Sequence, residues 1–187
     1  NKGKDCPPGK KLSPKGRCVI DRGVSKLKTN ELEKCKVLKK GKDITLISLS
    51  YMTLECVEAA KILKKLKIDA EIIDLRTISP LDQKTIINSL KKTRRALVAD
   101  TSNSFCGISS TVAAIINQNI NDLKNKVEIV SLPFCPEPTS YKLVKYFYND
   151  RYTIVNKVLK MFKINKKIKK DKFIKPDVPG EWFKGPF

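Results

Sequence analysis

The sequence contains no histidine, so it lacks the side chain that proteins use most often as an acid or base near neutral pH. Its six cysteines include no Cys-x-x-Cys pair, and their spacing gives no support to a zinc site. It also lacks the Gly-x-Gly-x-x-Gly turn and the Gly-x-x-x-x-Gly-Lys-Ser/Thr loop that bind nucleotide phosphates. We therefore expect no catalytic, cofactor-binding or metal-binding residue in this chain.

No run of about 18 apolar residues is present, which predicts that no helix spans a membrane. The chain begins at Asn1 without a methionine or a signal-peptide pattern, so we expect a processed or truncated product. Cys56 and Cys106 lie among apolar residues of predicted helices, where a free thiol behaves as a small hydrophobic side chain. Free thiols in a reducing compartment are favoured, and only Cys6 and Cys18 flank a loop suited to a disulfide.

The basic residues far outnumber the acidic ones, and the formal charge of +20 is typical of nucleic-acid-binding proteins. Most of these residues are lysine, however, and isoleucine and asparagine are also abundant. These residue types share A/T-rich codons, so an A/T-rich genome accounts for much of the charge. A solvated lysine-rich surface is therefore favoured over a nucleic-acid partner.

The stretch 69–82 organises the rest of the chain. Its first half is apolar and rich in β-branched residues, which predicts a short buried strand. Its second half predicts a helix from Pro80 to about Lys92, with Ser79 as the cap and Asp82 favouring the helix dipole. A helix precedes this stretch and another strand follows it, so it forms the middle of a β-α-β-α-β layout.

The remaining predicted elements alternate in the same way, which predicts an α/β three-layer sandwich with a mostly parallel sheet and an antiparallel edge strand. A hairpin through 41–43 is expected at the sheet edge. We divide the chain into an extended arm or linker (1–30), one domain (31–163) and an extended tail (164–187). The other predicted strands are 33–39, 44–49, 95–100 and 127–132, and the other predicted helices are 51–66, 108–120 and 152–162.

Ligands of such sheets bind beyond the carboxyl ends of the strands. Asp74 with Arg76, and Asp100, form either a polar site there or, as the favoured interpretation, pins for the loops. Cys106-Gly107 before a helix indicates either an activated thiol or, more plausibly, a structural turn. The full set of residues predicted at this rim is Ser50, Arg76, Thr77, Asp100, Thr101, Ser102, Leu132 and Pro133.

A family resemblance rests on four segments: 37–48, Tyr51-Met52, Glu58-Ala59-Ala60, and Ile-Asp-Leu-Arg-Thr-Ile-Ser-Pro-Leu-Asp at 73–82. They resemble the carboxyl-terminal domain of the β subunit of thiamine-diphosphate-dependent 2-oxoacid dehydrogenases. The resemblance covers roughly 31–163 and implies a transketolase C-terminal-domain-like fold. This chain departs from the family pattern at Asp100-Thr101, where the family often has an acidic pair, and its first 24 residues match nothing in the family.

The resemblance implies a non-catalytic domain, with pyruvate as the favoured 2-oxoacid. It implies that thiamine diphosphate and Mg²⁺ are held by the parent enzyme and not by this chain alone. The implied partners are an α subunit, a second β subunit and the peripheral subunit-binding domain of the acyltransferase. The alternative is a stand-alone structural or interaction protein derived from this domain. The expected location is a mitochondrion or plastid-type organelle, with a bacterial cytoplasm as the alternative.

Four residues are predicted to contact a partner: Trp182, Phe183, Phe187 and Glu137. The first three lie in a tail where large apolar residues alternate with prolines and lysines, and an exposed cluster of this kind favours a docking surface. Folding of the tail onto its own domain remains the alternative.

Overall fold

The computed structural model describes residues 10–12, 18–20 and 33–169, and the chain divides into two compact units, 1–32 and 33–187. In the first unit, β1 (Lys10–Leu12) pairs with β2 (Cys18–Ile20) in an antiparallel register that places Lys11 opposite Val19. An extended arm or linker was predicted for 1–30, without this strand pair.

The second unit contains a five-stranded sheet in the order β3-β5-β4-β6-β7, flanked by helices. The strands are β3 (Lys36–Lys39), β4 (Ile44–Ser48), β5 (Ala70–Asp74), β6 (Ala96–Asn103) and β7 (Glu128–Leu132). The helices are α1 (Tyr51–Lys65), α2 (Gln83–Thr93), α3 (Ile108–Asn119), α4 (Tyr141–Phe147) and α5 (Arg151–Met161). Strands β4 to β7 pair in parallel and β3 pairs antiparallel, which confirms the predicted fold class.

The sheet separates two apolar layers. Alternate residues of a strand point to opposite faces, so Leu46 joins the layer under α1 and α5, whereas Ile47 joins the layer under α2 and α3. Ile72 and Ile73 of β5 divide in the same way. Because each of these strands contributes side chains to both layers, the central strands are buried on both faces, as expected for a parallel sheet.

The predicted hairpin between 33–39 and 44–49 is wrong. β3 pairs with β5 instead, with Val37 opposite Ile73, because both edges of β4 are already occupied by β5 and β6. The connecting turn crosses the start of β5: the Lys42 amide donates to the Asp69 carbonyl at 3.2 Å. At Gly41 a Cβ atom would lie 2.3 Å from the backbone of Ala70, so only glycine permits this close crossing.

The helix predicted from Pro80 begins later, at Gln83, and Ser79 is not its cap. The cap is Asp82, whose Oδ1 accepts the Thr85 amide at 3.1 Å and whose Oδ2 accepts the Thr85 hydroxyl at 2.6 Å. Asp82 Oδ2 also accepts the Cys35 amide at 3.2 Å. One carboxylate thus fixes the start of α2 and holds the segment that leads into β3.

Two further differences concern helices. The helix predicted at 51–66 is confirmed, but Leu54, assigned to its apolar face, is 38% exposed. Helix α4 was not predicted, because Pro133, Pro136 and Pro138 were taken to end regular structure there. α4 begins only at Tyr141, beyond the last of these prolines, and this spacing reconciles the prolines with the helix.

Asp82→Ala should lower the free energy of unfolding by about 1–2 kcal/mol, as for the loss of other helix caps. Burial by itself would raise the pKa of Asp82. Hydrogen bonds from Thr85 and from the Cys35 amide outweigh burial and lower this pKa below its ordinary value. The folded state therefore gains stability from Asp82 above the ordinary carboxyl pKa, and this gain disappears as the pH falls through the lowered value.

Urea melts at several pH values test this prediction. As the pH falls from about 5 to about 2, where carboxylates become protonated, the free energy of unfolding should decrease less for the variant than for the wild-type chain. Asp122→Ala is a matched control, because Asp122 is 60% exposed in its ion pair with Arg94 and should change stability by less than about 1 kcal/mol. Parallel pH curves for wild-type chain and Asp82→Ala would contradict the assigned role.

Candidate functional site

Strands β4 to β7 are parallel, so their carboxyl ends lie side by side at one end of the sheet. After β4 the chain builds β5 on one side and then returns to place β6 on the other side of β4. The loops that follow β4 and β6 therefore diverge, and open α/β sheets bind ligands at such a crevice. Here the chain contributes Ser50 after β4, the last residues of β6 and the loop 104–107. Strand β6 was predicted to end at Asp100, but it continues to Asn103.

The carboxylates of this rim accept hydrogen bonds from residues next to them in the chain. Asp100 is 2% exposed, and it accepts the Ser102 amide at 3.2 Å and the Ser102 hydroxyl at 2.5 Å. Asp74 accepts the Arg76 amide at 3.3 Å, and Arg76 itself has a left-handed backbone with φ of 58°. Asp74 thus pins the turn that follows β5, as predicted. Asp100 instead fixes the last residues of β6, because its partner Ser102 belongs to the same strand.

The Cys106-Gly107 segment is a tight structural turn. A Cβ atom at Gly107 would lie 2.1 Å from the Asn103 carbonyl oxygen, so glycine alone permits the close return of the chain before α3. The Ser110 hydroxyl donates to the Ser104 carbonyl and closes the loop onto the helix. Cys106 is exposed, and its assignment to an apolar helix surface is wrong because it precedes α3 in this turn.

Cys56 behaves as predicted. It is fully buried in α1 as part of the apolar layer, and burial raises its pKa to about 12. A thiol with so high a pKa stays protonated at neutral pH and is a weak nucleophile. Cys56 is therefore a core residue.

The turn before α3 presents Phe105 at the surface. Phe105 follows β6 and Phe134 follows the neighbouring strand β7, and the two rings meet with centroids 5.1 Å apart and planes inclined by 48°. This distance and inclination are typical of a favourable aromatic pair. Nevertheless the two side chains are 67% and 73% exposed, which makes the phenylalanine pair an apolar surface of the kind found at interfaces.

The chain that follows Phe134 exposes further side chains. Glu137 is exposed in the same loop. Helix α4 buries Val144 and Phe147, yet Leu143 and Tyr146 are 55% and 77% exposed. A helix with large apolar side chains on both faces is expected to be covered on its outer face by another molecule.

A buried ion pair joins the starts of α1 and α5. Glu55 is almost fully buried, and its Oε2 accepts the backbone amide and Nε of Arg151 at 2.7 and 3.2 Å. The Tyr51 hydroxyl donates to Glu55 Oε1 at 3.1 Å. Burial, together with the charge of Glu55, raises the pKa of Tyr51 above its ordinary value. The network holds two helices in register and offers no free acid or base.

Within residues 10–12, 18–20 and 33–169, no group of three or more Cys, Asp and Glu side chains is placed to hold a metal ion. No helix in the described part of the chain is long and apolar enough to cross a membrane. Of the four predicted partner contacts, the structure describes Glu137, whereas Trp182, Phe183 and Phe187 lie outside the described residues.

Phe105 and Phe134 are not among the residues predicted to contact a partner. A signal was available, because Phe105 stands in Thr-Ser-Asn-Ser-Phe-Cys-Gly and Phe134 stands beside Pro133. A large aromatic residue in a polar or proline-bounded loop has no periodic apolar partners in its own element. Such a position is therefore a candidate for an exposed contact.

Residues 33–154 match the family "Transketolase, C-terminal domain". The chain is 42% identical over 129 residues to "Pyruvate dehydrogenase E1 component subunit beta" of Rickettsia bellii, covering 68% of this chain and 40% of the relative. It is 35% identical over 134 residues to "Pyruvate dehydrogenase E1 component subunit beta, mitochondrial" of Dictyostelium discoideum, covering 71% and 38%. The first of these relatives shows that the chain spans about 40% of the length of a full β subunit.

A solved structure described as "Split gene transketolase, inactive beta4 tetramer" shares the fold, with a TM-score of 0.61 and 25% identity. The match covers 72% of this chain and 44% of that one. Together with the β-subunit relatives, it confirms the resemblance to the carboxyl-terminal domain of 2-oxoacid dehydrogenase β subunits. The chain belongs to the transketolase C-terminal domain family.

Proposed function

We propose that this chain acts as the non-catalytic C-terminal domain of a 2-oxoacid dehydrogenase β subunit, with pyruvate as the favoured substrate of the whole enzyme. The exposed phenylalanine pair at the ends of β6 and β7 is the observation that carries this proposal. Its surface suits contact with another subunit, whereas the hydrogen-bonded carboxylates of the rim suit loop support. The β-subunit relatives agree with this assignment.

The proposed partners of the phenylalanine pair are an α subunit and a second β subunit. Aromatic side chains that become fully buried supply a large share of interface energy, and Phe105 and Phe134 each have most of their surface to lose. The fold relative described as a β4 tetramer agrees with pairing between β-type chains. Leu143 on α4 would extend such an interface.

The proposal includes docking of the peripheral subunit-binding domain of an acyltransferase. Its candidate contacts are Glu137, Trp182, Phe183 and Phe187. Glu137 supports this role because its exposed carboxylate offers negative charge, on an otherwise basic chain, in the loop that carries Phe134. A basic partner segment would be attracted to this point.

The proposed cofactors of the whole enzyme, thiamine diphosphate and Mg²⁺, do not fit the rim of this domain. Mg²⁺ prefers carboxylate and water oxygens, and the carboxylates of Asp74 and Asp100 already accept hydrogen bonds from residues two positions further along the chain. We therefore assign no cofactor contact to these residues. The proposed location is a mitochondrion, a plastid-type organelle or a bacterial cytoplasm, and one relative is described as mitochondrial.

The double substitution Phe105→Ser with Phe134→Ser tests the proposed interface. Sedimentation velocity of the full chain, alone and with its purified α subunit, measures self-association and pairing. We expect the double variant to associate at least about tenfold more weakly than the wild-type chain, because two aromatic contacts that association would bury are lost. Both side chains are exposed in the chain itself, so its folding should be preserved.

Leu38→Ser is the matched control. Leu38 is 41% exposed on β3, at the opposite edge of the sheet from β7, so this change removes an apolar side chain without touching the phenylalanine pair. It should leave association within about twofold of wild type. A wild-type chain that stays monomeric with and without the α subunit, or equal weakening by both variants, would refute the proposed interface.

A further inference from the structure

A basic groove lies at the carboxyl end of α5, between this helix and the segment 163–169. Lys163 has a left-handed backbone with φ of 56°, which turns the chain back along the helix that it has just left. The open groove between the two has a volume of about 430 Å³. We call it the lysine groove, and the residues that line it are Asn156, Lys160, Lys163, Ile164, Asn165, Lys166 and Lys167.

The charge of the lysine groove has one sign only. Its four lysines are exposed, no acidic residue lines it, and none of the four forms an ion pair with a carboxylate of the described residues. Lys157, one turn before Lys160 on α5, does form an ion pair, because its Nζ lies 3.3 Å from Glu128 Oε2. Four lysines that line one concave surface give it a positive potential that the described residues around it do not neutralise.

The outer wall of the groove is held in place. The Asn156 amide group donates to the Ile168 carbonyl at 2.9 Å and accepts the Ile168 amide at 2.8 Å. The Ile164 amide donates to the Leu159 carbonyl at 2.9 Å, and the Ile168 side chain packs against the apolar layer. A groove fixed by these contacts binds a ligand without first ordering its own backbone.

We propose that the lysine groove binds an acidic segment of a partner protein, by a contact separate from the phenylalanine pair. Carboxylates of such a segment would pair with the ammonium groups, and Ile164 would contact an apolar residue between them. A second copy of this chain does not fit, because 39 basic against 19 acidic residues make two copies repel. A single-stranded nucleic acid is disfavoured because no aromatic side chain lines the groove for base stacking.

Fluorescence anisotropy of the full chain with a labelled ten-residue peptide of alternating Glu and Leu tests the proposal. Lys166→Glu with Lys167→Glu should weaken binding about five- to tenfold, because two ion pairs are replaced by like-charge contacts. Asn156→Ala releases the outer wall without changing the charge. This variant should also bind the peptide measurably more weakly. If the lysines attracted the peptide without the groove, Asn156→Ala would leave binding unchanged.

Lys64→Glu with Lys65→Glu is the control, because it makes the same change in net charge at an exposed lysine pair on α1. This variant should bind the peptide within about twofold of the wild-type chain. Equal weakening by the two double variants would show attraction to overall charge and overturn the proposal. Tighter binding of an oligo-dT of equal charge than of the peptide would also overturn it, in favour of a nucleic-acid site.

Discussion

Arg151→Leu should lower the free energy of unfolding by about 3–5 kcal/mol, the range seen when one partner of a buried ion pair is removed. Arg151 supplies the backbone amide and the guanidinium that meet Glu55 Oε2 at 2.7 and 3.2 Å, and the substitution removes the guanidinium. The Glu55 side chain is 1% exposed, so water does not replace the lost charge. Urea denaturation followed by circular dichroism measures the loss.

Two further variants separate the buried pair from a general effect of charge on α5. Lys157→Leu removes a second ion pair of the same helix, but Lys157 and Glu128 are both 37% exposed, so less than about 1 kcal/mol should be lost. The double change Glu55→Leu with Arg151→Leu removes both buried charges and should be less destabilising than Arg151→Leu alone. A similar loss for Lys157→Leu and Arg151→Leu would be inconsistent with the assigned pair.

The sequence predicted the elements whose apolar periodicity is complete within one segment. The alternation of β4, α1, β5, α2 and β6 follows from local patterns, and these elements occur along the chain in that order. The partner of β3 was predicted wrongly, because strand pairing depends on positions distant in sequence. The chain crosses from β3 to β4 by packing Gly41 against the backbone of Ala70, and no local sequence pattern predicts this contact.

The same limit applies to the candidate site. Glu55 and Arg151 are separated by 96 positions, so neither residue indicates its partner in the sequence. Phe105 and Phe134 come together only because β6 and β7 are neighbours in the sheet. Most rim residues lie where the locally predicted strand ends place them. The exception is β6, which runs to Asn103 and not to Asp100, so Thr101 and Ser102 belong to the strand. What the sequence did not indicate is which of their polar groups are already used by the loops.

Leu63→Ala should lower the free energy of unfolding by about 2–5 kcal/mol, as for other large-to-small changes in cores. Leu63 is fully buried on the face of α1 that meets the sheet, in the apolar layer that also contains Leu46, Ile72 and Val158. This layer combines buried residues of α1, β4, β5 and α5, so several elements meet in it. The site therefore cannot collapse easily around the missing atoms, and the cost should lie in the upper part of that range.

The adjacent substitution Lys64→Ala supplies the control, because Lys64 is exposed one position along the same helix. It should cost well under 1 kcal/mol in the same urea melts. The pair tests helical register directly: one step along α1 rotates the side chain by about 100°, from the buried face to the solvent. Comparable losses for the two variants would mean that α1 does not present Leu63 to the sheet, and the packing of α1 against α5 would then be wrong as well.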